Sequence, residues 1–219
     1  TIMDARQPET LTLERIKVYD PLLRLLHWWN AVAIVMLAAS SQIAEFLEHG
    51  PFEDGAWQVH VITGYMLAGG LGTRVLWGVF GPARARWSDF WHLQVWLRVL
   101  RERRLPAGHG FGHDPLASLA YIVAFGVMVL MVATGLGLAA AQFGAGPLAP
   151  WEGVLHDFRH AIKEPHEAGF FVLIGFVVVH VAALVFHERS GQPVAQSMVS
   201  GFQYRRLARR AADEDDRQP

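Results

Sequence analysis

The side chains in this sequence best suited to chemistry are imidazoles. The chain carries eleven histidines and no cysteine in 219 residues. Disulfides, thiolate zinc sites, iron–sulfur clusters and thioether-linked prosthetic groups are therefore excluded. Four of the histidines, His27, His60, His166 and His180, lie within or at the edge of long uncharged stretches, where an ionisable group is costly and needs a reason to be there. His166 and His180 are fourteen residues apart. On an α-helix that is close to four turns, ~21 Å along the axis and only about 40° in azimuth. One helix thus presents two imidazoles toward the same side, one near each end. Neutral imidazole is a good metal ligand, and a second imidazole at the same depth would offer a metal two nitrogens from opposite sides.

The elements that must position these groups are membrane helices. The chain is 52% apolar and only 18% charged, richer in apolar residues than an ordinary soluble domain. The apolar residues collect in four runs, Leu25 to Ala44, Gly55 to Phe80, Leu116 to Ala141 and Ala168 to His187, and about 20 such residues suffice to cross the hydrocarbon. The expected fold is all-α: an integral membrane four-helix bundle with spans at about 22–46, 56–80, 115–141 and 166–187. Asp20-Pro21, Asp54-Gly55 and Asp114-Pro115 are expected to start helices, and Gly81-Pro82 to end one. Residues 1–19 form an amino-terminal segment, 20–205 the membrane domain and 206–219 a charged tail. The first twenty residues mix acids and bases without an apolar stretch, so the first helix is expected to act as its own insertion signal.

Basic residues orient the bundle. Sixteen of the nineteen lie in the amino-terminal segment, the connection between the second and third helices, and the tail. Only Arg159 and Lys163 fall in the other connections, and Arg74 lies inside a span. Both termini are therefore expected in the cytoplasm. The opposite face carries eight carboxylates, among them Glu45, Glu48, Glu152 and Glu167, against those two bases. It suits a locally positive partner, whose exchange rate should then fall as salt rises. Nothing in the charge pattern suggests a nucleic acid. The stretch from Trp87 to Arg98, with its aromatics, leucines and arginine-rich continuation, is expected to form a helix in the headgroup region on the cytoplasmic side.

With this orientation the histidines pair by depth. His27 begins an outward helix and His180 nears the cytoplasmic end of an inward one; His60 and His166 both stand near the outer surface. Two bis-histidine sites stacked across the membrane suit iron protoporphyrin, whose metal takes two axial imidazoles while its ring fills an apolar slot between helices. Gly64, one turn from His60, would leave room for the macrocycle, although glycines also serve close helix packing. Arg24, one turn before His27, and Arg74, fourteen residues after His60, are candidate propionate partners, although arginines also snorkel to headgroups. His187 is a spare ligand candidate. His49, His92, His109, His113, His156 and His160 are expected in solvated connections.

Several motifs carry a resemblance to a known family. The run Tyr19-Asp20-Pro21-Leu22-Leu23-Arg24-Leu25-Leu26-His27-Trp28 resembles the opening of the bacterial cytochrome b561 and nickel–iron hydrogenase b-type cytochrome family. So do His60 with Gly64, Arg74 to Trp77 with Gly81-Pro82, Gly112-His113-Asp114-Pro115-Leu116-Ala117, His166-Glu167 with His180, and Ser197-Met198-Val199-Ser200-Gly201-Phe202. The resemblance spans about residues 17–205. It implies an inner-membrane four-helix bundle holding two haem b, with His27, His60, His166 and His180 as axial ligands. It further implies electron transfer between the quinone pool and a periplasmic redox protein: a hydrogenase, another dehydrogenase or a c-type cytochrome. The Gly-His-Asp-Pro segment and the tail lean toward the hydrogenase type; Asp114, where asparagine is expected, and the compact outer connection depart from it.

Two other readings compete. A histidine-lined metal-ion transporter would need carboxylates or interrupted helices near mid-membrane, and none of the four runs has an Asp or Glu at mid-depth. A passive membrane anchor for a peripheral enzyme would need no deep histidines. A quinone pocket is expected beside one haem on the cytoplasmic side, where Arg74, Arg86 and His92 could serve protonation.

Overall fold

The computed structural model of the chain describes residues 13–89, 96–97, 101–102, 115–190 and 195–206. In chain order the elements are β1 (Leu13–Lys17), α1 (Pro21–Phe46), α2 (Glu53–Phe80), α3 (Pro115–Phe143), α4 (Glu152–Asp157), α5 (Arg159–Arg189), α6 (Ala195–Ser200) and β2 (Phe202–Arg206). Four long helices carry the architecture. Short 3₁₀ turns at Ala83–Ala85, Trp87–Asp89 and Ala149–Trp151 join them.

The helix ends follow local chemistry. Asp20 caps α1 by accepting a hydrogen bond from the Leu23 N–H at 3.0 Å, with Pro21 at the first helical position. The Trp77 indole N–H donates to the same carboxylate at 3.1 Å, tying the end of α2 to the start of α1. The cap expected at Asp54 is not used. Helix α2 starts at Glu53 without a side-chain cap, and Glu53 and Asp54 lie in its first turn, where negative charge complements the helix dipole. It ends at Phe80, with Gly81 extended and Pro82 next. Helix α5 begins at Arg159, well before residue 166, and takes in Pro165. His156 and His160, expected in a connection, therefore lie in α4 and α5.

Three helical stretches, Pro21–Phe46, Ser118–Phe143 and Arg159–Arg189, are long and apolar enough to cross a membrane, so the chain is a multi-pass membrane protein. Helix α2 matches them in length but is not among them; His60, Arg74 and its several glycines dilute its hydropathy. Helix α1 packs on α2, α3 on α5, and α2 on α3. Small residues fill the seams: Ala33, Ala44, Ala124, Ala139, Ala140 and Ala141 are buried, as are Ser40, Thr63 and Gly70. Large side chains such as Val35, Ile62, Val179 and Phe186 are exposed instead. Small residues join Leu23, Leu26, Leu67, Leu71 and Leu173 inside, and many large apolar side chains outside suit lipid contact. The backbone of α5 packs far less on α1 or α2 than on α3.

One feature lies outside the all-helical expectation. Strands β1 and β2 form an antiparallel ribbon, from Leu13 opposite Arg206 to Lys17 opposite Phe202. It continues into hydrogen bonds from the Val18 and Tyr19 N–H groups to the Gly201 carbonyl, at 2.9 and 3.3 Å. The Arg15 guanidinium lies 3.6 Å over the Phe202 ring. The Trp28 indole N–H reaches the Met198 carbonyl at 3.3 Å, and Arg24 donates to that of Val199. The two strands and α6 are thereby clasped together at the start of α1. The helix expected from Trp87 to Arg98 lies largely outside the described residues; of that stretch, Trp87–Asp89 is a 3₁₀ turn and residues 96–97 are helical. His92, His109, His113, Asp114 and the tail beyond 206 also lie outside them.

Candidate functional site

Helix α5 faces α1 at one end and α2 at the other through imidazoles. The rings of His27 and His180 are 6.3 Å apart, centre to centre, and those of His60 and His166 are 6.5 Å apart. These are the pairs expected from depth. The separation has a chemical meaning. Two metal–nitrogen bonds of about 2 Å each, plus about 1.1 Å from each nitrogen to its ring centre, sum to roughly 6.2 Å for a metal held between two imidazoles. Among the described residues no group of three or more potential metal ligands occurs, and each pair offers two imidazoles.

The His60–His166 pair is braced from behind. His60 Nδ1 lies 3.1 Å from the Leu37 carbonyl and 3.2 Å from Ser40 Oγ, both on α1. His166 Nδ1 lies 2.8 Å from Thr134 Oγ1 on α3. The Trp57 ring meets His60 edge-on at 5.7 Å. In front of the two rings opens a cavity of about 510 Å³ walled by α1, α2, α3 and α5, within the size range of cofactor sites, ~300–1,000 Å³. Gly64 lines it, and a methyl group there would meet only Leu37, at 4.0 Å. Gly135 plays a closer part: a methyl group on it would stand 3.2 Å from His166 Cε1. The rim is polar, with Gln42, Glu45, Lys163 and Glu167, of which Lys163 and Glu167 form an exposed ion pair at 3.2 Å.

The His27–His180 pair has apolar and aromatic surroundings. Phe176 stacks on His180 at 5.8 Å and 14°, and Trp28 meets His27 edge-on at 5.6 Å. Among the described residues no hydrogen bond reaches the ring nitrogens of this pair. His180 is exposed and His27 half-buried. Arg24 stands beside them on α1, committed to the Val199 carbonyl. Arg74 is buried, with its guanidinium 4.6 Å from the Trp87 ring and 5.7 Å from that of Tyr121. Arg86 donates from Nε to the Gly81 carbonyl at 2.8 Å and so braces the turn that follows α2. His187 lies exposed in the last turn of α5 beside Phe186, away from the pairs. Sequence reasoning missed Ser40, Thr134 and Tyr121. A hydroxyl inside a membrane helix usually bonds back to its own backbone, so its type and position alone gave no sign of a histidine partner.

Comparison with known proteins gives the family. Residues 18–201 match the family described as prokaryotic cytochrome b561. The chain is 32% identical to the probable Ni/Fe-hydrogenase B-type cytochrome subunit of Azotobacter vinelandii, with 85% of this chain and 88% of that protein covered. It is 30% identical to the probable subunit of the same description from Cupriavidus necator, with 84% and 85% covered. With the one from Rhizobium leguminosarum bv. viciae it shares 29% identity, with 90% and 92% covered. The chain belongs to the Ni/Fe-hydrogenase B-type cytochrome, or cytochrome b561-like, family. Its place is the inner membrane, as a haem b-binding electron-transfer subunit working with a quinone and a redox partner protein.

Proposed function

We propose that this chain is a di-haem cytochrome b that moves electrons between the quinone pool and a periplasmic redox protein, with a hydrogenase as the first candidate partner. The observation that carries the reading is the pair of ring separations, 6.3 and 6.5 Å, each close to what one metal between two imidazoles requires. His27 and His180 hold the cytoplasmic-side haem iron, and His60 and His166 the periplasmic-side one. When bound, each haem supplies a one-electron iron couple. The residues supply position: His166 and His180 set the two sites ~21 Å apart along α5, and the gap between α5 and the α1–α2 pair gives each ring its slot. Gly64 keeps the outer slot open. Arg24 and Arg74 are the cations nearest the inner site by sequence, and a propionate there would share or displace their present partners, the Val199 carbonyl and the Trp87–Tyr121 pair.

In this reading α2 is the fourth span, both termini are cytoplasmic, and the acidic outer connections receive the partner. The β1–β2 ribbon supports the common side of the two termini, because it joins them directly. The relatives named for hydrogenase favour that partner over a c-type cytochrome. The test is a reduced-minus-oxidised absorption spectrum of the purified protein before and after addition of a quinol. Bands of a b-type haem that grow on adding quinol are expected. No haem bands at all would end the cytochrome reading, and bands indifferent to every quinol would end the quinone link.

A further inference from the structure

The two histidine pairs differ in what stands behind them. At the outer pair, each hydroxyl has its own hydrogen spent on a backbone carbonyl. Thr134 Oγ1 lies 2.6 Å from the Leu130 carbonyl, to which it donates, and Ser40 Oγ donates to that of Leu37 at 3.1 Å. With their hydrogens so placed, these oxygens accept from the imidazoles. The Leu37 carbonyl, 3.1 Å from His60 Nδ1, can only accept. This network puts the proton of both outer imidazoles on Nδ1 and leaves the Nε2 lone pair for a metal. Among the described residues the inner pair has no such acceptor.

A hydrogen bond from the far nitrogen of a ligating imidazole fixes its tautomer and raises its basicity. A more basic ligand favours the higher charge on the metal. From this asymmetry we infer that Thr134 is a positioning residue that selects the Nε2-ligating tautomer of His166, and that the acceptors behind the outer pair, Thr134 on α3 and the Leu37 carbonyl with Ser40 on α1, lower the reduction potential of the outer haem, biasing electron flow from the outer face inward. The inference rests on the two-haem reading above. It concerns hydrogen-bond acceptors on α1 and α3, neither of which touches the metal. The step it biases is a simple exchange: one electron leaves the reduced outer iron, which becomes ferric, and the inner ferric iron becomes ferrous.

The experiment is a potentiometric titration of the purified holoprotein, followed by absorbance, in the wild type and in Thr134→Val, Thr134→Ser and Ser40→Ala. Valine keeps the shape of threonine and removes the acceptor; serine restores it. In Thr134→Val one of the two haem components should become easier to reduce. At fixed potential its oxidised-to-reduced ratio should fall by about tenfold, ~59 mV for a one-electron couple. Ser40→Ala, which leaves the Leu37 carbonyl on His60 Nδ1, should move that same component in the same direction by less, and Thr134→Ser should leave it near the wild type. If Thr134→Val fails to retain the outer haem, Thr134→Ala against Thr134→Ser decides. Unmoved potentials in haem-loaded variants, or movement of different components by the two substitutions, would overturn the inference. A wild type without haem would instead overturn the reading beneath it.

Discussion

At the scale of single residues, the site is four imidazoles and the few atoms that aim them. The fourteen-residue step on α5, the depth of His27 and the position of His60 were all visible in the sequence, because helical rise and hydropathy convert residue number directly into depth. The aiming groups were not. Gly135 stood as one of several glycines in an apolar helix, with nothing to separate it from those that serve packing. In the structure it is the glycine against which His166 turns its Cε1 edge. This gives a prediction in which two effects oppose. Gly135→Ala should gain about 1 kcal/mol of helix propensity, yet its methyl, 3.2 Å from Cε1, must push the ring off its line to the metal. We expect unchanged or greater thermal stability of the helices by circular dichroism, together with about tenfold weaker retention of the outer haem. Retention equal to the wild type would show that the ring has room to spare.

At the scale of elements, the helices were legible and the ribbon was not. Asp20-Pro21 and Gly81-Pro82 mark ends of α1 and α2 by local rules. Strands β1 and β2 are five residues each and rich in charge, and they pair across almost the whole chain. No local pattern announces such a non-local contact. Its corner is Gly201, with φ of 83°, a conformation that a residue with a side chain adopts only at a cost. An added methyl there would also stand 3.0 Å from the Tyr19 carbonyl oxygen and 3.3 Å from the Arg24 guanidinium carbon. Gly201→Ala should therefore loosen the clasp by about 1–2 kcal/mol. Limited proteolysis should then cut the carboxy-terminal segment sooner than in the wild type, while α1 to α5 stay intact. An unchanged cleavage rate would mean that the ribbon does not depend on that turn. Because Arg24 and Trp28 join the clasp to the helix that carries His27, its loosening should be felt first at the inner pair.

At the scale of the whole molecule, the fold separates two jobs. The seams bring α1 to α2 and α3 to α5, and imidazoles meet across the space between α5 and the α1–α2 pair. Composition announced the membrane and the spacing of apolar runs announced four long helices. Helix α2, expected as a span, is not among the helices apolar enough to cross a membrane, because His60, Arg74 and its glycines make it less apolar than its neighbours. The most direct measurement of the whole arrangement is the haem-to-protein ratio, resolved into potentiometric components, in the wild type and in four single variants. The wild type should bind two haems per chain. His27→Ala and His180→Ala should each lose or severely perturb one component, the same one in both, and His60→Ala and His166→Ala should each do so to the other. A wild type without haem, or a single component removed by both His27→Ala and His166→Ala, would contradict the paired-imidazole architecture.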